Sequence, residues 1–139
     1  WDEIFKGALV SKENFIPNGQ ILCYPVINLS GKPGDTHFGS GVNLLGERYA
    51  DLCYPLSPTN IVSSKTPPAF LWHTFEDNAV NVKNSLTYAT ALRDNNIPTE
   101  MHIYPHGHHG FGIPTPDSKL NKHVYQWTES LLRWIEYMF

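Results

Sequence analysis

Residues 68–105 read PAFLWHTFEDNAVNVKNSLTYATALRDNNIPTEMHIYP, and the order of patterns inside this stretch decides the fold class. Ala69-Phe70-Leu71-Trp72-His73-Thr74-Phe75 reads as a strand that runs into the polar corner Glu76-Asp77-Asn78. Val82, Leu86, Ala89 and Leu92 then recur at helical intervals, which predicts an amphipathic helix with those four residues on its buried stripe. Asn95-Asn96 and Pro98 end it. Glu100-Met101-His102-Ile103-Tyr104-Pro105 follows as a second strand. Strand, helix and strand make a βαβ unit, whose crossover sets the two strands parallel, so the class is α/β with packing helices.

The flanks fit that frame. Gln20-Ile21-Leu22-Cys23-Tyr24-Pro25-Val26-Ile27 is apolar and hardly alternates, the pattern of a central strand covered on both faces. A loop signal follows at Ser30-Gly31-Lys32-Pro33-Gly34. Residues 29–68 read as largely irregular, with one short helix around Leu44 to Leu52, and so as a lid or substrate loop. Within it Phe38, Leu44, Leu45, Tyr49 and Tyr54 are candidates for recognising an acyl or alcohol group, against the plainer reading of a connecting loop. After the second strand comes a loop rich in Gly and His, from His106 to Gly112. Thr115-Pro116 opens a last helix with a capping residue and a proline. Its stripe of Leu120, Val124, Trp127, Leu131, Trp134 and Met138 repeats every three or four residues. Trp127, Trp134 and Tyr137 could present a sugar-stacking platform, but that spacing favours core packing.

A chain of 139 residues is one domain at most. With 41% hydrophobic and 17% charged residues it has the composition of a folded protein rather than a disordered one. The net charge of −3, with no basic cluster, argues against nucleic acid as a partner. No apolar run approaches the roughly 18 residues of a membrane span. Trp1-Asp2-Glu3 has neither the basic nor the apolar region of a signal peptide. Cys23 and Cys53 are too few for a disulfide framework, although one bridge stays open. Cys23 lies in an apolar run and reads as a buried thiol, which suits a reducing, cytoplasmic compartment; a secreted one stays open.

In parallel sheets chemistry collects beyond the carboxyl ends of the strands, and two polar loops fall there, one with Asp77 and one with His109. A carboxylate that accepts the proton of one imidazole nitrogen fixes the tautomer, leaving the other nitrogen to act as general base. Asp77 and His109 are separated by one helix and one strand, so the fold can bring them together. Gly107 and Gly110 permit the tight loop this needs. Taken alone, Asp77 could equally stabilise the start of the following helix as a negative charge. Glu76 is the fallback acid. His102, His106, His108 and His109 invite a metal reading, but no recognised ligand spacing supports one, and no metal or cofactor is implied. His73 reads as structural.

The run Thr66-Pro67-Pro68-Ala69-Phe70-Leu71-Trp72-His73-Thr74 resembles the C-terminal half of α/β-hydrolases. So do Asp77-Asn78-Ala79-Val80, Asn84-Ser85, Tyr88, Ala91-Leu92-Arg93, Tyr104-Pro105 and Gly107-His108-His109-Gly110. The similarity is to the acetyl-esterase and acetylxylan-esterase branch, related to dienelactone hydrolase and to prolyl oligopeptidase catalytic domains. It runs loosely from Gln20 and tightly from Thr66 to Ile113. The resemblance implies Asp77 as triad acid and His109 as triad histidine, from the patterns DxxV and GxHG. It sets the Cys23-Tyr24-Pro25-Val26-Ile27 strand after the nucleophile helix. Asn81 stands where the family usually has proline after that valine.

Triad order in that fold is Ser, acid, His, with the serine in a GxSxG elbow. None of Ser11, Ser30, Ser40, Ser57, Ser63, Ser64, Ser85, Ser118 and Ser130 has the flanking glycines; Ser40 sits directly between Gly39 and Gly41 instead. The chain also starts without Met. The expectation is therefore that residues 1–139 are the C-terminal portion of one α/β-hydrolase domain whose upstream half carries the nucleophile. That half, or a second copy in a homo-oligomer, would cover the exposed sheet edge. The implied activity is hydrolysis of a small ester, acetylated sugars included. A serine peptidase of the prolyl oligopeptidase type and a non-catalytic packing or dimerisation module are the alternatives.

Overall fold

A computed structural model of the chain describes residues 16–31, 34–113 and 122–139. Three strands, β1 (Gln20–Cys23), β2 (Ala69–Thr74) and β3 (Thr99–Tyr104), form a parallel sheet in the order β1-β2-β3. Gln20 pairs with Ala69 on one side of β2, and Thr99 pairs with Ala69 on the other. The helices are α1 (Phe38–Leu45), α2 (Tyr49–Leu52), α3 (Pro58–Ile61), α4 (Lys83–Asp94) and α5 (Gln126–Met138).

All six residues of β2 are buried, because the pleat sends alternate side chains into two separate cores. Ala69 and Leu71 meet Ile27, Tyr88, Leu92 and Ile97 under α4. Phe70 and Trp72 meet Tyr104, Val124, Trp127 and Trp134 under α5. Each large apolar side chain taken fully from water stabilises the fold by about 2 kcal/mol, so β2 is the strand the chain can least afford to disturb. The tryptophans of α5 are core residues, Trp127 stacking on Trp72 at 5.1 Å, while Tyr137 stands exposed.

Four details differ from the sequence expectation. β1 is shorter and less covered than a central strand: Ile21 is exposed, and β2 is its one partner among the described residues. The strand stops because Tyr24 turns to φ 39. The buried side of α4 is Asn84, Ser85, Tyr88 and Leu92, while Leu86 faces solvent. Two polar residues go inside because they are fully bonded there. The Asn84 side-chain oxygen accepts from the amides of Ile27 and Asn28, and Ser85 meets His73. Third, the 29–68 segment is more regular than expected, carrying α1, a short 3-10 turn, α2 and α3. It is pinned by Leu29, whose amide donates to Ser57 Oγ and whose carbonyl accepts from the Tyr49 hydroxyl. Fourth, α5 begins at Gln126 among the described residues; the expected start at Thr115-Pro116 lies outside them.

Candidate active site

Asp77 and His109 sit where two strand ends deliver them. β2 and β3 finish side by side, and their pairing continues one step further as Phe75 N–H donates to the Tyr104 carbonyl at 2.7 Å. Thr74 Oγ1 donates to the Gly107 carbonyl at 2.8 Å, tying the end of β2 to the histidine loop. Gly107, at φ 148, has no room for a side chain: a Cβ there would lie 2.4 Å from Phe111 and 2.8 Å from Thr74. The loop therefore folds back tightly and carries His109 over the β2 end.

The Asp77 carboxylate is fully enclosed and organised on both oxygens. Oδ1 accepts from the amides of Ala79 at 2.9 Å and Val80 at 2.8 Å, the turn that leads into α4. Oδ2 lies 2.7 Å from His109 Nδ1 and 3.2 Å from His73 Nε2. Burial by itself would push this carboxyl upward. The amides of Val80 and Ala79 and the His109 ring outweigh it, and the group ends below the usual carboxylate range. An ionised Asp77 requires the proton on His109 Nδ1, which frees Nε2 to accept. The His109 side chain is 35% exposed while that of Asp77 is 0% exposed. A base that a substrate can reach, held by an acid that it cannot, is the arrangement of a triad pair.

His73, read from sequence as merely structural, belongs to this network. It is wholly buried, and its Nε2 has two acceptors nearby, the Val80 carbonyl at 2.9 Å and Asp77 Oδ2. The proton is therefore on Nε2, and Nδ1 accepts from the Ser85 hydroxyl at 2.8 Å. Desolvation keeps the ring neutral by pulling its pKa below the ordinary histidine value, against the pull of Val80 and Asp77. Val80 is thus held from both sides, its amide by Asp77 and its carbonyl by His73. Ser85, His73 and Asp77 mimic a serine triad in composition, but all three are sealed in the core, out of reach of any substrate. Burial is what separates this internal relay from the accessible His109. The only sequence signal for it was a histidine in an otherwise apolar strand.

The other histidines disperse. His106 Nδ1 pairs with Glu76 at 2.9 Å, His102 Nε2 with Glu100 at 2.7 Å, and His108 Nδ1 with the His109 carbonyl at 2.6 Å. No group of three or more metal-binding side chains converges among the described residues. The fallback acid Glu76 is exposed and turned to His106, away from the Asp77 pair. Among the described serines none contacts His109; Ser40 bonds His37 at the start of α1. Cys23 and Cys53 are both free thiols.

Comparison with known proteins sets this geometry in a family. The sequence model of the prolyl oligopeptidase family matches residues 28–134. An acetylxylan esterase of Xylanibacter ruminicola is 39% identical over 104 residues, covering 71% of this chain and 21% of that protein. An endo-1,4-beta-xylanase B of Butyrivibrio fibrisolvens is 42% identical over 99 residues, covering 70% of this chain and 15% of that protein. Among solved structures, the acetyl ester-xyloside bifunctional hydrolase of Caldicellulosiruptor lactoaceticus superposes with a TM-score of 0.77 at 46% identity. It covers 88% of this chain and 43% of that one. The fold is that of the α/β hydrolases, and this chain spans about a fifth or less of the curated relatives' length.

Proposed function

Because the chain belongs to the prolyl oligopeptidase family, we propose that it supplies the acid and the base of a serine hydrolase acting on short-chain carboxylic esters, acetylated sugars among them. The observation that carries the reading is the contact of the buried Asp77 with the accessible His109 at 2.7 Å. The similarity to an acetylxylan esterase and to an acetyl ester-xyloside hydrolase supports the substrate class. In this reading His109 Nε2 takes the proton of a serine outside the described residues as that serine attacks the ester carbonyl. His109 then returns the proton to the departing alcohol. Water repeats the cycle and releases the acid. Asp77 keeps Nδ1 protonated and stabilises the imidazolium formed in each transition state. The 29–68 segment would face the substrate with Phe38, Leu44 and Tyr54, all exposed.

The test is labelling of the full-length hydrolase with a fluorophosphonate, followed by mapping of the labelled peptide and assays on p-nitrophenyl acetate and acetylated xylo-oligosaccharides. The expected result is one labelled serine, acetate release, and loss of both in His109→Ala. Label without acetate release, together with cleavage of a prolyl peptide anilide, would move the reading to the peptidase side of the family. Absence of label and of hydrolysis would refute it.

A further inference from the structure

Tyr24, just past the end of β1, packs against the ring of the candidate base and has no part in the reading above. It is a bulky residue at φ 39, followed by a proline that further favours extended backbone. Strain of this kind persists where the surroundings hold it in place, and here they do. The Tyr24 ring lies 4.9 Å from the Trp72 indole at 86° and 4.7 Å from the His109 imidazole at 66°. Trp72 is itself fixed between Phe70's core and Trp127. The Tyr24 hydroxyl accepts from the amide of Gly112, 88 positions away, beyond the histidine on the same loop. The backbone amide of Tyr24 donates to the Trp72 carbonyl at 2.8 Å, so the turned residue stays tethered to β2.

We propose that Tyr24 is a positioning residue for His109: its ring, wedged between Trp72 and the imidazole, holds the base in register with Asp77. The proposal rests on the triad reading of Asp77 and His109. A hydrogen bond from one ring nitrogen leaves the imidazole free to swing about that contact. An aromatic ring packed edgewise at this distance removes that freedom. Among the described residues, the titratable groups facing His109 are Asp77, His73 behind it on β2, Tyr24 just after β1, and His108, which bonds the His109 carbonyl. Asp77 is the charged group in direct contact with the ring, and Tyr24 leaves that charge untouched.

The test compares Tyr24→Phe and Tyr24→Leu in the full-length hydrolase, both of which share the demand of the φ 39 turn. The readouts are kcat and KM of p-nitrophenyl acetate hydrolysis and the downfield Nδ1 proton of His109 by NMR. For Tyr24→Leu, kcat should fall roughly tenfold with KM little changed, because the imidazole is less often aligned with Asp77. The downfield proton should broaden by exchange. Tyr24→Phe, which keeps the ring and loses the Gly112 tether, should retain most of kcat and the resonance. Equal losses of kcat in both variants would reduce Tyr24 to a structural prop and overturn the proposal, as would an unaffected Tyr24→Leu. Wild-type enzyme without hydrolysis or label would sink the triad reading instead. The NMR comparison needs no activity, so an unchanged Nδ1 resonance in Tyr24→Leu refutes the positioning role on its own.

Discussion

Replacing Asp77 by asparagine exchanges one acceptor for a donor at the point where two ring nitrogens converge. Oδ1 keeps its place, since an amide oxygen accepts from the Ala79 and Val80 amides as a carboxylate does. The new Nδ2 then faces His109 Nδ1 at 2.7 Å and His73 Nε2 at 3.2 Å in the positions Oδ2 held. His73 resists inversion, because its Nε2 proton is committed to the Val80 carbonyl and its Nδ1 accepts from Ser85. His109, partly in solvent, is the ring that gives way: Nδ1 becomes an acceptor and the proton moves to Nε2. In that tautomer the accessible Nε2 has no lone pair to take a proton from a nucleophile, and the Nδ1 lone pair is turned to the introduced side-chain amide. The same exchange in a serine protease lowers kcat about 10⁴-fold, or roughly 5 kcal/mol of transition-state stabilisation.

The assay is kcat on p-nitrophenyl acetate in the full-length hydrolase, with thermal unfolding in parallel so that loss of fold is scored separately. Loss of the charge-assisted bonds should also destabilise by about 2 kcal/mol. Glu76→Gln is the control: its carboxylate is exposed and paired with His106 rather than with the base, so kcat should stay within about twofold. Asp77→Asn retaining more than about a tenth of wild-type kcat, with Glu76→Gln failing, would refute the assignment of the acid.

Stability should fall in two steps as the medium is acidified, each with a sign given by linkage. His73 is held neutral with its pKa below the ordinary 6.5. The unfolded chain therefore takes up this proton first, and stability falls as pH drops through 6.5. His73→Gln should flatten that limb of the melting temperature against pH, and an unchanged slope would contradict the buried neutral ring. Asp77 is depressed below 3.8; its contribution is complete above that value and is lost as pH falls through the lower folded one, a step that Asp77→Asn should remove. Gly107→Ala should destabilise by about 2–3 kcal/mol through backbone strain and the clash with Phe111 and Thr74. Chemical denaturation measures it, and a loss under about 0.5 kcal/mol would show that the loop relaxes freely.

Local pattern carried much of the fold. An apolar β-prone run, a helical period and a second run are enough to specify βαβ, because these periods follow from backbone geometry and require no knowledge of neighbours. The same logic placed Asp77 and His109 at adjoining strand ends, and the two glycines marked the tight loop. The α4 stripe misled at Leu86 because Asn84 and Ser85 look solvent-facing by residue type. They are inside because Ile27, Asn28 and His73 supply their partners, from positions 12 to 57 residues away.

Sequence by itself determined the fold class, the order of the elements and the pair of residues that could act as acid and base. Tertiary structure decided which accessible histidine meets the buried Asp77, that His73 braces Asp77 and Val80, and that Tyr24 leans on His109. It also decided that Glu76 turns away from the pair. The physical reason is that hydrogen-bond partnership and burial depend on distances between segments remote in the chain. Helical and strand periods are set within a few residues, whereas a buried polar group is tolerated or forbidden according to what the rest of the fold brings to it.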